Sequence, residues 1–272
     1  MKNLERQFQL NVQTKKLFAG NDKIVLAISG GADSTVLARL FIKYLKDPAG
    51  HLILAHVDHD LRSDSFLEKE LIDKQFAKYH VKIFHTKWPK ADHPKRGVEA
   101  AARDFRYDFY KKIAAQAGAK RIALAHHAND QAETVLLKII RGADWSTVAS
   151  MSWSRPLFTD SDIQVIRPLL NVPKSSIYAY ARQQGLQWIE DPSNQDPAYT
   201  SRNQIRNVVL PALEKINPDA VSNIADFSRQ IADLKNDQLI EMLKIWINDQ
   251  KKNLPISRRQ LEEFKQLLDN KE

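Results

Sequence analysis

The chain has no cysteine in 272 residues. Disulfides, thiolate zinc sites, iron–sulfur clusters and cysteine nucleophiles are therefore excluded together. Marks of export or insertion are also missing. The start, Met1-Lys2-Asn3-Leu4-Glu5-Arg6-Gln7-Phe8, holds no apolar signal core, and no apolar run reaches transmembrane length. The cytoplasm is the expected compartment, with no membrane partner. Internal repeats and low-complexity tracts are absent. What remains is a folded chain, 43% hydrophobic and 27% charged, long enough for one large core or two modest ones. The formal net charge of +8 suits a polyanionic partner such as nucleic acid without identifying one. Two basic clusters, Lys87, Lys90, Lys95 and Arg96, then Lys251, Lys252, Arg258 and Arg259, read as solvated surface.

One segment carries more information than the rest. The apolar run Ile24-Val25-Leu26-Ala27-Ile28 stops at Ser29-Gly30-Gly31-Ala32-Asp33-Ser34, and a helical pattern follows. A buried strand that feeds a Gly-rich turn and a helix N-terminus is suited to an anion, because backbone N–H groups converge there. The turn has no lysine, so it is not the G-x-x-x-x-G-K-[ST] phosphate loop, and it is not the G-x-G-x-x-G dinucleotide turn. Asp33 inside such a turn would repel phosphate unless a cation stood between them. It is therefore the candidate Mg²⁺ ligand, since Mg²⁺ takes hard oxygen donors. The full string resembles the pyrophosphate loop of the ATP pyrophosphatase superfamily, whose members adenylate a substrate and release pyrophosphate.

Along the first two-thirds, short apolar runs alternate with helical patterns. Residues 4–19 predict a leading helix. Strands are predicted over 23–28, 51–57, 81–85, 121–125 and 165–168. Helices are predicted over 65–79, 98–117, 129–140 and 173–184, the first with an apolar face of Phe66, Leu67, Leu71, Ile72 and Phe76. The expected fold class is α/β: a mostly parallel sheet with helices on both faces, followed by a small all-helical domain; the resemblance of the loop implies that the sheet is adenine nucleotide α-hydrolase-like and Rossmann-like. Ligands in such sheets sit beyond the carboxyl ends of the strands. That rule gathers residues 29–34, 56–59 and 126–130 on one rim. Residues 142–164 are irregular, and 190–197 form a turn-rich loop. After Arg202 the pattern is all-helical: 202–209, a break near Pro211, a long helix from 218 to about 248, and a last helix capped by Ser257. The expected division is 1–213 for the catalytic unit and 214–272 for the helical one.

Further motifs accompany the loop. They are His56-Val57-Asp58-His59-Asp60-Leu61-Arg62, Glu99-Ala100-Ala101-Ala102-Arg103-Asp104-Phe105-Arg106-Tyr107 and His126-His127-Ala128-Asn129-Asp130-Gln131-Ala132-Glu133-Thr134. Arg141-Gly142, Arg167-Pro168-Leu169-Leu170, Trp188-Ile189-Glu190-Asp191-Pro192-Ser193-Asn194 and Arg202-Asn203-Gln204-Ile205-Arg206 follow in order. The ordered set, over at least residues 21–215, resembles the tRNA(Ile)-lysidine synthetase family. One position departs from that pattern: Asn129 stands where the family often has a first aspartate.

The resemblance implies an ATP-dependent carbon–nitrogen ligase. It would join free L-lysine to C2 of the wobble cytidine of tRNA(Ile) with anticodon CAU, through an adenylated tRNA, releasing AMP and pyrophosphate. ATP and Mg²⁺ are the implied cofactors. Ser29, Gly30, Gly31 and Ser34 would cradle the phosphates. Ala27, Ile28, His56 and Val57 would line the adenine pocket. Asp130 and Glu133, three apart at a helix start, share a face. The resemblance assigns them to lysine binding and to the chemistry, where a carboxylate beside the ammonium assists its deprotonation. His126 and His127 diverge, and His127 is assigned to substrate binding. Arg106 is matched to a functional arginine, for the activated cytidine or the α-phosphate. Arg202 and Arg206 are expected to meet tRNA or nucleotide phosphate. Oligomeric state stays open, a homodimer included. Two other readings stand beside this one. Another tRNA-modifying ATP pyrophosphatase, such as a sulfur transferase, fits the loop but not the lack of cysteine. A non-catalytic basic RNA-binding protein fits the charge but leaves the loop and its acids unexplained.

Overall fold

The computed structural model describes residues 4–60, 64–148, 151–191, 196–197 and 200–249, without the side chains of 145–146 and 235–249. Six strands form one sheet in the order β3-β2-β1-β4-β6-β5. They are β1 (Ile24–Ala27), β2 (Leu52–Asp58), β3 (Lys82–Lys87), β4 (Arg121–Ala123), β5 (Ser154–Pro156) and β6 (Gln164–Ile166). All neighbours run parallel except β5, which pairs antiparallel with β6 at the edge. The mostly parallel sheet expected from alternating strands and helices is thus present. Edge strand β3 alternates between exposed and half-buried residues, whereas β1 and β2 are buried almost throughout. That contrast follows from position, because central parallel strands are covered on both faces.

Helices α1 (Leu4–Thr14), α2 (Ala32–Tyr44) and α8 (Lys174–Gln183) cover one face with Phe8, Leu37, Phe41 and Ile177 in the core. The second face packs against α5 (Val98–Ala117) through Tyr110, Ile113 and Ala114, which meet Val25, Ile53 and Ile122. The short helices α3 (Pro48–His51) and α7 (Trp145–Val148) are joined by α4 (Phe66–Phe76), which adds Ile72 and Phe76 to the first face, and by α6 (Ala128–Ile140), which packs against later helices. Beyond them lie α9 (Ser201–Gln204), a π turn over Ile205–Val209, α10 (Leu210–Ile216) and α11 (Ala220–Asp249).

Several predicted elements differ in detail. The leading helix stops at Thr14, because Lys16 adopts a left-handed φ of 48° and the N–H of Leu17 bonds the carbonyl of Val12 at 3.1 Å. This closure turns Leu17 and Phe18 into the core. On α4 only Ile72 and Phe76 of the predicted apolar face are buried, while Phe66 and Leu67 are exposed. The stretch 142–164 supplies α7 and edge strand β5. Pro211 does not break the helix. Instead the preceding turn widens to a π turn, with the N–H of Leu210 reaching the carbonyl of Ile205. A π turn relieves the crowding that a proline ring imposes on the preceding turn.

The start of α11 is not isolated from the sheet domain. Val221 and Ala225 pack with Ile205 and Leu210 against Ala128 and Ala132 of α6. Phe227 and Leu234 on α11 are exposed. The predicted helix after Ser257 and the basic cluster 251–259 lie outside the described residues, as do Leu61, Arg62 and residues 192–195.

Candidate active site

Three segments that directly follow strands meet at the carboxyl edge of the sheet. After β1 the chain turns at Gly30, whose φ of 78° is left-handed. Ser34 Oγ ties the turn: it accepts from the N–H of Ser29 at 3.1 Å, lies 3.1 Å from Ser29 Oγ and donates to the Gly31 carbonyl at 3.1 Å. Helix α2 then begins at Ala32 with no side-chain cap from Gly31. Its first N–H groups are therefore left for a ligand. The loop and strand ends open into a cavity of about 980 Å³. Ala27, Ile28, Ser29, Gly31, Asp33, Ser34 and Val57 line it, as expected for a nucleotide site.

His56 is different. Its side chain is 1% exposed and lies beneath the rim, with Nδ1 3.1 Å from the Ile28 carbonyl. Burial holds its pKa below the usual histidine value. The ring braces the loop from behind rather than lining the cavity. Gly30 is likewise kept close to its surroundings, since a Cβ there would meet Glu68 Cβ at 3.3 Å.

After β4, His126 and His127 diverge as their adjacency requires. His127 is 4% exposed and bridges two acids: its Nε2 lies 3.5 Å from Asp33 and 3.6 Å from Asp130. Burial works against its charge, but Asp130 and Asp33 outweigh burial and raise its pKa above the ordinary value. Asp130 also caps α6, accepting from the N–H of His127 at 3.0 Å. Its burial favours the neutral acid, yet His127, His126 and Arg202 together hold its pKa down to about 2. Asp130 is thus a fixed anion. Asp33 Oδ1 is buried without a hydrogen-bond partner. An uncompensated carboxylate oxygen beside an anion-binding turn is the donor that a hard cation needs.

Glu133 lies elsewhere than expected. It is 1% exposed and does not line the cavity. Arg202 Nε reaches it at 2.7 Å, and Arg206 holds it bidentately at 2.7 and 2.9 Å. The Glu133 carboxylate is therefore engaged, and the joint Asp130–Glu133 amine site is not formed in this arrangement. Arg202 and Arg206 in turn direct charge at Glu133 and, at 3.6 and 4.0 Å, at Asp130. The physical cause is spacing. Arg202 and Arg206 share one helical face, Asp130 and Glu133 share another, and the two faces meet.

The remaining lining residues were not all singled out from the sequence. Arg106 lines the cavity as expected, with Arg103, Tyr107, His59, Arg167, Lys174 and Tyr178. His59 has both ring nitrogens buried without partners, and burial reinforced by Arg106 lowers its pKa to about 4. Arg167 is 3% exposed and donates to the Ser152 carbonyl at 2.8 Å and to His126 Nδ1 at 3.3 Å. Asn129, the departure from the family pattern, accepts from the N–H of Lys174 at 2.9 Å and so caps the start of α8. An amide oxygen serves that purpose without charge.

The site can be set beside known proteins. Residues 2–213 match a family model described as a PP-loop domain. The chain is 37% identical over 229 residues to a tRNA(Ile)-lysidine synthase of Lactiplantibacillus plantarum, covering 84% of this chain and 50% of that protein. It is 38% identical over 218 residues to a tRNA(Ile)-lysidine synthase of Lactobacillus gasseri, covering 80% and 50%. The chain thus spans about half the length of the curated relatives it matches. Among solved structures, the U34-tRNA thiolase NcsA from Methanococcus maripaludis superposes with a TM-score of 0.65 at 18% identity, over 84% of this chain and 78% of that one. That likeness bears on the fold alone.

Proposed function

The chain belongs to the PP-loop family, and we propose that it performs the ligation named by its curated relatives. ATP would adenylate O2 of the wobble cytidine in a tRNA(Ile) with anticodon CAU, and free lysine would then replace the adenylate. In the first step the cytidine oxygen attacks the α-phosphorus as the bond to pyrophosphate breaks. In the second the lysine ε-amine attacks C2, AMP departs with the oxygen, and the amine gives up its proton. The observation that carries this reading is the convergence of the Ser29–Ser34 turn with the Asp33–His127–Asp130 row on one rim.

Each residue has a role in this proposal. The loop N–H groups and the Ser29 and Ser34 hydroxyls would bind the departing phosphates. Asp33, with its unpartnered oxygen, would hold Mg²⁺, which would neutralise charge on the leaving group. Ala27, Ile28 and Val57 would face the adenine, with His56 supporting them. Asp130 would attract the amine, and His127 would hold its two acids in register. Arg106 would meet the activated cytidine or the α-phosphate. Glu133 would act through Arg202 and Arg206, fixing the wall that faces the RNA. We retain a division at 213–214, with residues 214–272 as an RNA-binding element.

The absence of cysteine disfavours sulfur transfer, because a sulfur relay commonly uses a thiolate or a cluster. The test is product release from ATP with an anticodon stem–loop RNA. Pyrophosphate should appear only with RNA, and lysine should be required for AMP release. Turnover of ATP that is indifferent to RNA would overturn the assignment. No helix among the described residues is long and apolar enough to cross a membrane.

A further inference from the structure

His126 and Arg167 are joined across neighbouring strands. β4 and β6 pair in register Ala123 with Ile166, so the residues just beyond both ends approach each other. Arg167 begins where β6 ends, and its backbone N–H bonds the Trp153 carbonyl at 2.9 Å. Its guanidinium is then directed by the Ser152 carbonyl and by His126 Nδ1. Arg167 has no ion pair among the described residues, an unusual cost for a guanidinium that is 3% exposed. Burial lowers its pKa to about 10, still far above neutrality.

Chemistry fixes the direction of the contact. A guanidinium N–H only donates, so the nitrogen it meets must offer a lone pair. Nδ1 of His126 is therefore unprotonated, and the ring proton of the neutral imidazole sits on Nε2. Burial, with Arg167, Arg202 and His127 adding to it against Asp130, lowers the His126 pKa to about 4, so the neutral ring prevails. His126 lines the cavity, and Nε2 is the nitrogen left to face it.

We propose that Arg167 is a positioning residue that locks His126 as an Nε2–H donor, and that this donor takes a phosphoryl oxygen of the bound nucleotide or RNA. His126 in this state has no free lone pair and cannot serve as the general base for the lysine amine. Its place between the phosphate-binding loop on β1 and Arg167 on β6 suits an oxygen that gains charge during transfer. The role deepens the proposed ligation and rests on it, but the tautomer does not.

The first measurement is long-range ¹H–¹⁵N correlation on the whole, histidine-labelled chain without ligand. Nδ1 should appear in the unprotonated region and Nε2 in the protonated one. The opposite pattern, or a charged ring at neutral pH, overturns the proposal whatever the reaction proves to be. AMP alone and an anticodon stem–loop RNA alone are then added separately. A shift of the Nε2 signal with AMP assigns the oxygen to the nucleotide, and with RNA to the polynucleotide. No shift with either refutes the ligand contact. Arg167→Met should mix the two tautomers if it folds. In product release, His126→Gln places an amide donor near Nε2 and should retain most activity. His126→Asn places one near Nδ1 and should lose about 100-fold, the usual scale for a lost transition-state donor. Equal loss in both variants would reduce the contact to packing.

Discussion

Replacing Glu133 by glutamine tests the ionic junction between α6 and the chain after residue 200. Glutamine preserves volume and one acceptor oxygen but removes the negative charge. Two guanidiniums, both within 2.7 Å of the present carboxylate, would then face each other across an amide. Breaking a fully buried pair from one side costs about 3–5 kcal/mol. Here the arginine side chains keep 36% and 24% of their exposure, so water can take up part of the orphaned charge. A loss of about 2–3 kcal/mol is the better figure after that screening. For a chain of this size it lowers the melting temperature by about 4–12 °C.

The assay is thermal or urea unfolding of the unliganded chain, followed by circular dichroism. Arg206→Gln should cost more than Arg202→Gln, because Arg206 makes two of the three short contacts. The double variant Glu133→Gln/Arg206→Gln should fall short of the summed losses by about 0.5–3 kcal/mol, the range for groups in one network. A Glu133→Gln protein that melts with the wild type would refute the reasoning, returning Glu133 to a purely ligand-facing role.

Asp33→Asn should keep the fold and lose most Mg²⁺-dependent pyrophosphate release, read beside a melting curve; wild-type release would remove Asp33 as the metal ligand. Stability should peak near pH 6.5. On the acid side, His56, His59 and His126 all have lowered pKa values, the last two about 4, so the unfolded chain takes up protons first and stability falls at up to about 4 kcal/mol per pH unit. On the alkaline side His127 acts in the other sense. Its raised pKa gives stability that is complete below the unfolded value and is lost as pH rises through the folded one. Urea titrations from pH 4 to 8 check both limbs, and a flat acid limb would contradict the buried neutral rings. Arg103→Gln and Arg106→Gln should each reduce the salt slope of RNA binding by about 0.7 if they meet single-stranded phosphates, while Arg202→Gln chiefly lowers the melting temperature. A larger slope change for Arg202 would reverse that ranking.

Much of the sheet was legible because central strands are apolar runs and helix ends carry their own punctuation. The 98–117 helix is found at its predicted limits, closed by Gly118 at a φ of 67°. Edge strand β5 was not legible. Ser154-Arg155-Pro156 has no apolar alternation, and its partner among the described residues, β6, lies ten residues on. The helix through Pro211 is not legible, because a proline ordinarily ends a helix and nothing local signals a π turn. At the site, the loop and Asp33 were visible as a string, but the burial of His56 and the Arg167–His126 contact depend on strand pairing. Asn129 shows the same limit. Its value as a cap for α8 exists only because Lys174 begins a helix beside it.

Charge was the least transferable property between sequence and site. Arg202 and Arg206 look like free cations in a basic chain, yet they are committed to Glu133 and lean on Asp130. Arg103, Arg106 and Arg167 have no ion pair among the described residues, and all three line the cavity. Arg202 and Arg206 also line it, but Glu133 and Asp130 offset their charge, so the uncompensated positive charge lies along α5 and at the end of β6. The same arrangement would constrain the amine of the proposed ligation. An ammonium that approaches Asp130 meets two guanidiniums within 4.0 Å of its carboxylate, and like charges in so enclosed a space repel strongly. A neutral amine would escape that repulsion and is also the nucleophile that the proposed ligation would need. Under that proposal, the arginine pair that joins α6 to the chain after residue 200 would favour the neutral amine, with Asp130 left to accept from the nitrogen as it bonds.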